Sequence, residues 1–125
     1  MILVDTSVWV DHLRQADPRL AALLQSGLVL IHPFVIGEIA CGTLSKRVPT
    51  LELLQQLPMT PVADSNELLG FIASRHLHGR GIGYVDVHLL ASTALNPGSR
   101  LWTRDKRLLE AAAALECAHV EPRAH

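Results

Sequence analysis

Residues 1–9 read MILVDTSVW, and the change of character inside this stretch decides the fold. Met1 to Val4 is a short apolar run. Asp5, Thr6 and Ser7 follow; their side-chain oxygens suit a helix N-terminus, where backbone N–H groups lack partners, and Val8 to Leu13 continues as helix. A strand that passes directly into a helix is the first half of a βα unit. The same order recurs along the chain. Asp17-Pro18 opens a helix carrying Leu20, Leu23 and Leu24, which Ser26-Gly27 stops before a strand at Leu28 to Ile31. Pro33 starts another helix, ended near Cys41 by Gly42. An amphipathic stretch over Leu51, Leu54 and Leu57 precedes a minor strand at Thr60 to Val62, and Asp64 or Ser65 caps a helix with Leu68, Leu69, Ile72 and Leu77 on one stripe. After the connector Gly79 to Gly83 come a helix from Tyr84 to about Leu95, a strand at Arg100 to Thr103, a helix from Asp105 to Leu115 and an edge strand at His119 to Glu121. Alternating short apolar strands and helices imply parallel crossovers, hence an α/β fold: a three-layer α/β/α sandwich around a mainly parallel sheet of four or five strands.

The chain has 125 residues, a size at which one domain buries an adequate core, and no linker or repeat divides it, so residues 1–125 are read as a single domain. No apolar run approaches the ~18 residues of a membrane span, and the apolar opening is broken by Asp5 and lacks a basic leader; the expectation is a soluble cytoplasmic protein. Cys41 and Cys117 form neither a disulfide framework nor a metal motif and are read as reduced, buried small hydrophobes. With 11 basic against 12 acidic residues, the chain has no large basic face with which to coat nucleic acid.

Four acidic residues stand in unusual places. Asp5 and Asp105 each follow a strand, and parallel strands bring both to the carboxyl edge of the sheet, where open α/β sheets hold ligands; each also suits a simple N-cap. Glu38 falls mid-helix on a stripe with Phe34, Val35 and Cys41, so either a counter-charge or metal offsets its burial, or the helix turns it to solvent. Asp86 leads a stripe of Leu89, Leu90 and Thr93, and equally suits a first helical turn, where negative charge is favoured. Like charges brought together need cations. Oxygen-only ligands select Mg²⁺, with Mn²⁺ as a substitute, and the lack of a His/Cys cluster disfavours zinc. The chemistry implied is phosphoryl transfer in which two ions ~4 Å apart activate a water and stabilise the leaving oxygen. Without these four acids, 11 basic residues face eight acidic ones, so near-neutrality conceals an acidic pit in a mildly basic surface.

The chain resembles the PIN-domain nucleases, and among them the compact VapC-type toxins of bacterial toxin-antitoxin pairs. The resemblance is carried by VDTSVW at Val4 to Trp9, the helix bearing Glu38 with Ala40 and Gly42 after it, YVDVHLLASTA at Tyr84 to Ala94, and LWTRDKRL at Leu101 to Leu108. Relatives often carry an aromatic residue where Leu108 stands. The resemblance implies that Asp5, Glu38, Asp86 and Asp105 are the acidic metal-binding set of an endoribonuclease, with a supporting hydroxyl at Thr103 and at Thr6 or Ser7. On that footing Asp5 and Asp86 are the principal Mg²⁺ ligands. Glu38 binds the same ion or holds its water, and Asp105 serves a second ion directly or through a hydrogen bond. The resemblance further implies an RNA substrate, a homodimer, a cognate antitoxin that inhibits the enzyme from a groove between helices, and contact with DNA only through that antitoxin.

Two other functions fit the same residues: a housekeeping RNA-processing nuclease of this fold, and a non-catalytic module whose acidic pocket captures a basic partner within a DNA-binding repressor complex. Gly79, Gly81 and Gly83 do not have the spacing of a dinucleotide loop and are read as a connector, with Arg80 and Arg75 candidates for touching a phosphate backbone. Arg100, Arg104, Lys106 and Arg107 form the densest basic cluster, able to attract RNA locally. The histidines are read as surface or structural, Leu20–Leu24 and Leu51–Leu57 as core or as groove walls, and Trp9, Trp102 and Phe34 as too scattered for a base-stacking platform.

Overall fold

The computed structural model describes residues 1–121 of the chain. Strand β1 (Ile2–Val4) passes at Asp5 into helix α1 (Thr6–Arg14). Helix α2 (Pro18–Gln25) starts on a proline, where a missing N–H costs nothing, and Asp17 caps it by accepting from the Arg19 N–H at 2.9 Å. Gly27, at φ +68°, makes the left-handed turn into β2 (Val29–Leu30). Then follow α3 (Pro33–Cys41), α4 (Arg47–Gln56), α5 (Ser65–Ser74), α6 (Tyr84–Ala94), β3 (Arg100–Trp102) and α7 (Lys106–Ala114). The sheet is parallel throughout, in the order β2-β1-β3, with Leu3 opposite Leu30 on one side and Leu101 on the other. The helices flank this sheet, as a three-layer sandwich requires.

The sheet is narrower than expected. Among the described residues three strands form it, and the two outer segments pair through single bridges, Ile31 with Met59 and Leu101 with Ala118. The next rung would need an N–H from Pro33, which has none and already opens α3. At the other edge the chain leaves the ladder as Glu121 engages Arg104, 2.6 Å away. Helix boundaries also move. Helix α4 begins at Arg47 and admits Pro49 in its first turn, where no N–H is needed. Helix α5 stops at Ser74, so Leu77 is buried from the turn beyond it, and Leu69 faces solvent while Leu68 and Phe71 enter the core.

Leu3, Val4, Leu89, Leu90, Leu101 and Trp102 are fully buried and join the sheet to α6. His88 lies inside rather than on the surface, packed edge-on against Phe34 and Tyr84 at 4.7 and 4.8 Å and beside buried His32 at 5.9 Å. Cys117 is buried as expected, but Cys41 is exposed. Among the described residues no helix is long and apolar enough to cross a membrane.

Candidate active site

Parallel pairing sets the site. The Asp5 N–H continues the ladder by donating to the Trp102 carbonyl at 2.9 Å, so the segments leaving β1 and β3 begin side by side. Asp5 stands at the N-cap position of α1, yet its side chain caps nothing. Its Oδ2 instead accepts from Ser7 Oγ at 2.7 Å and Thr103 Oγ1 at 2.8 Å. Thr103 Oγ1 also accepts from the Asp105 N–H at 3.1 Å, so one hydroxyl ties two acidic residues together. Ser7 Oγ likewise accepts from the Arg104 N–H at 3.0 Å. Asp105 does act as a cap, its Oδ1 accepting from the Leu108 N–H at 2.9 Å.

Glu38 comes from the second half of α3, the helix after β2, and Asp86 from the first turn of α6, the helix after α5. Helix α3 is rotated so that Glu38 is exposed, which settles the open question of its burial without a buried counter-charge. Its Oε1 accepts from Thr6 Oγ1 at 2.7 Å, fastening α3 to the start of α1. Both hydroxyls after Asp5 are therefore used, Thr6 on Glu38 and Ser7 on Asp5. Asp86 is half-buried in the first turn of α6, its Oδ2 accepting from the Gly83 N–H at 3.3 Å. Burial raises its pKa first, and the charges of Asp5, Asp105 and Glu38 raise it further against the opposing pull of the Gly83 bond. Four segments distant in sequence thus bring their carboxylates within mutual electrostatic reach.

A common pattern runs through the four. Each carboxylate commits one oxygen to a hydrogen bond, and its other oxygen, Asp5 Oδ1, Glu38 Oε2, Asp86 Oδ1 or Asp105 Oδ2, accepts none among the described residues. Residues 2–114 match the PIN-domain family model. The chain belongs to the PIN-domain family. Within it the chain is 52% identical, over 113 residues, to "Ribonuclease VapC32" from two strains of Mycobacterium tuberculosis, CDC 1551 / Oshkosh and ATCC 25618 / H37Rv, covering 90% of this chain and 91% of each relative. That likeness places it among the VapC-type PIN domains. The crystal structure of PAE2754 from Pyrobaculum aerophilum shares the fold, with a TM-score of 0.59 at 17% identity over 94% of this chain and 87% of that one.

PIN nucleases work with divalent metals, and the donor set fits one chemically: four carboxylates, oxygen only, with mutual repulsion for a cation to relieve. Among the described residues, no three Asp, Glu, His or Cys side chains already converge into a group able to hold an ion. The geometry agrees with carboxylates steered apart by their separate hydrogen bonds to Ser7 and Thr103, Thr6, Gly83 and Leu108.

The basic cluster beside Asp105 divides in two. Arg104, expected to help attract RNA, is spent inside the protein: Nε on Glu121 at 2.6 Å, Nη1 on Asp11 and Nη2 on Asp17, each at 2.7 Å. Arg19 adds a second guanidinium on Asp17 and Glu121, and Trp102 Nε1 donates to Glu121 at 2.7 Å. The two arginines hold the Asp17 carboxyl well below the usual carboxylate range, although burial opposes this. Sequence reasoning missed this cluster. Asp17 reads only as the start of a helix and Asp11 is not singled out, and only contacts 93 and 87 residues away join them to Arg104.

Beyond Glu38 a groove of about 920 Å³ runs between α1, α3 and the start of α4, lined by Val10, Leu13, Ile39, Leu44 and Lys46 among others. Leu20 and Leu54, weighed as groove walls, are core residues.

Proposed function

We propose that this protein is a Mg²⁺-dependent endoribonuclease, with Mn²⁺ a working substitute, that hydrolyses RNA phosphodiester bonds as the toxin of a toxin-antitoxin pair. The reading rests on the four carboxylates that each keep one oxygen unengaged while the other is locked in place. It is supported by similarity to relatives named as ribonucleases.

Asp5, Glu38, Asp86 and Asp105 hold the metal, Asp5 and Asp86 as the principal ligands, and Asp105 serves a more weakly held second ion. When bound, the metal supplies Lewis-acid stabilisation of the phosphoryl oxygens and lowers the proton affinity of the attacking water. Thr103 is a positioning residue, since its hydroxyl donates to Asp5 and accepts from the Asp105 backbone. Ser7 shares that work on Asp5 and Thr6 performs it for Glu38. Asp86 has the raised proton affinity of a group that most needs added positive charge.

The same reading makes residues 1–125 one cytoplasmic domain that acts as a homodimer, with DNA met only through the antitoxin. The groove beyond Glu38 receives a segment of that antitoxin, bringing it to the edge of the acidic site. Incubation of purified protein with RNA and Mg²⁺ tests the activity. Cleavage is expected to stop with EDTA and in Asp5→Asn, and undiminished cleavage by rigorously purified Asp5→Asn overturns the assignment.

A further inference from the structure

We propose that Arg107, laid across Gly81, is a binding residue for a backbone phosphate of the RNA strand beside the acidic site; the inference rests on the ribonuclease reading and adds a substrate contact to it. Arg104 is paired with three carboxylates, and Arg100 donates to the Ala118 carbonyl at 3.3 Å. Arg107 makes no hydrogen bond or ion pair among the described residues, is exposed, and lies against Gly81. A Cβ built on Gly81 would stand 3.0 Å from the Arg107 guanidinium carbon and 3.1 Å from its Cδ, and would collide outright with Nη1. Gly81 also has φ +74°, which a glycine adopts freely. The loop is thus shaped to let an arginine lie flat on backbone.

The seat is next to the chemistry. Arg107 is two residues past Asp105, and Gly81 is two residues before Gly83, whose N–H holds Asp86. The side chain therefore bridges the starts of α7 and α6, the two helices whose first turns present Asp105 and Asp86. RNA approaching four carboxylates meets like charge, and a guanidinium at this edge offsets it. Its planar fork matches two phosphate oxygens. The connector thus contributes a platform, and the phosphate contact that could have fallen to Arg80 or Arg75 belongs to Arg107; Arg75 lies over the Phe71 ring instead.

Binding and cleavage of a randomised single-stranded RNA oligonucleotide pool test this in wild type, Arg107→Ala, Arg107→Lys, Gly81→Asn and the Gly81→Asn/Arg107→Ala double variant, with thermal melting as a folding control. Asn tolerates positive φ but brings the Cβ that displaces Arg107. Arg107→Ala is expected to raise KM and Kd about tenfold with kcat little changed, and to flatten the slope of log Kd on log salt by about 0.7. Arg107→Lys restores part of the affinity. Gly81→Asn reproduces the loss, and the double variant is no worse than Arg107→Ala alone. Unchanged Kd and salt slope in Arg107→Ala overturn the phosphate contact, and if the wild type still cleaves RNA the nuclease reading stands. Additive losses in the double variant overturn the role of Gly81 as its platform. Should the wild type fail to cleave, the nuclease reading falls, and the binding comparison still decides Arg107.

Discussion

Two charge clusters meet at the segment Thr103 to Asp105 and are built on opposite principles. On one side Asp11, Asp17 and Glu121 surround Arg104 and Arg19 at 2.6 to 3.4 Å, so that every carboxylate has a cation. On the other Asp5, Glu38, Asp86 and Asp105 have hydroxyls and backbone N–H groups but no cation among the described residues. The chain can therefore neutralise acids at this sheet edge and does so a few residues away. Leaving the second set uncompensated costs stability, which binding of a divalent ion would recover on the proposed reading. On the proposed reading the first cluster is structural and the second functional, and the difference lies in the counter-ion rather than in the acids.

The largest effect that would break this comparison is on activity. Glu38→Gln keeps the Thr6 bond and removes one negative charge, so RNA cleavage should fall by roughly a thousandfold or more while the far-ultraviolet circular dichroism is unchanged. Arg104→Ala should instead act on stability, leaving three carboxylates without their shared cation. Urea unfolding should report a loss of about 2 to 3 kcal/mol, and a loss near zero would show the bracket to be surface decoration.

Smaller effects sharpen the contrast. Mg²⁺ at a hundred times its Kd should stabilise the wild type by about 2.7 kcal/mol, read as a rise in Tm, and Asp86→Asn should lose most of that rise. Without metal, Asp86→Asn should melt higher than wild type near neutral pH. The folded-state pKa of Asp86 is raised, so its contribution to stability is present at low pH and lost as pH rises through that value. A metal-free Tm lower than wild type would refute the repulsion. The smallest change concerns His32, which burial, with help from the charge of His88, pushes down to about 4. Protonation favours the unfolded chain between its ordinary value of 6.5 and about 4, so stability should fall as pH drops through that window. Asn at position 32, which can still cap α3, should flatten this part of the acid limb.

The order of strands and helices is legible in the sequence because Pro18, Gly27, Pro33 and Asp64 punctuate it with turn and cap chemistry. Strand length is less so, since Pro33 takes the partner chain into α3 after one rung and leaves the run at Thr60 as a bridge. The acidic residues are visible as acids at strand ends and helix starts, but an N-cap and a ligand look the same there. Asp5 and Asp105 differ in whether the side chain turns back on its own helix, and Thr103 decides that for Asp5 from 98 residues away. The rotation of α3 was hidden because Pro33, Phe34, Val35, Ile36, Ile39 and Cys41 leave no clear polar face to mark where Glu38 points. The arginine cluster was hidden for the same reason as the Thr103 contact: Asp11 and Asp17 lie 93 and 87 residues from Arg104.

The placement of β1 between β2 and β3 has a consequence for the timing of synthesis. The central strand and Asp5 leave the ribosome about a hundred residues before Trp102, Thr103 and Asp105. Throughout that interval Asp5 lacks the hydroxyl that aims it, and the acidic set lacks a member. On the proposed ribonuclease reading, a growing chain that has not yet made β3 and Asp105 is therefore inactive towards the messenger and the ribosome that are making it.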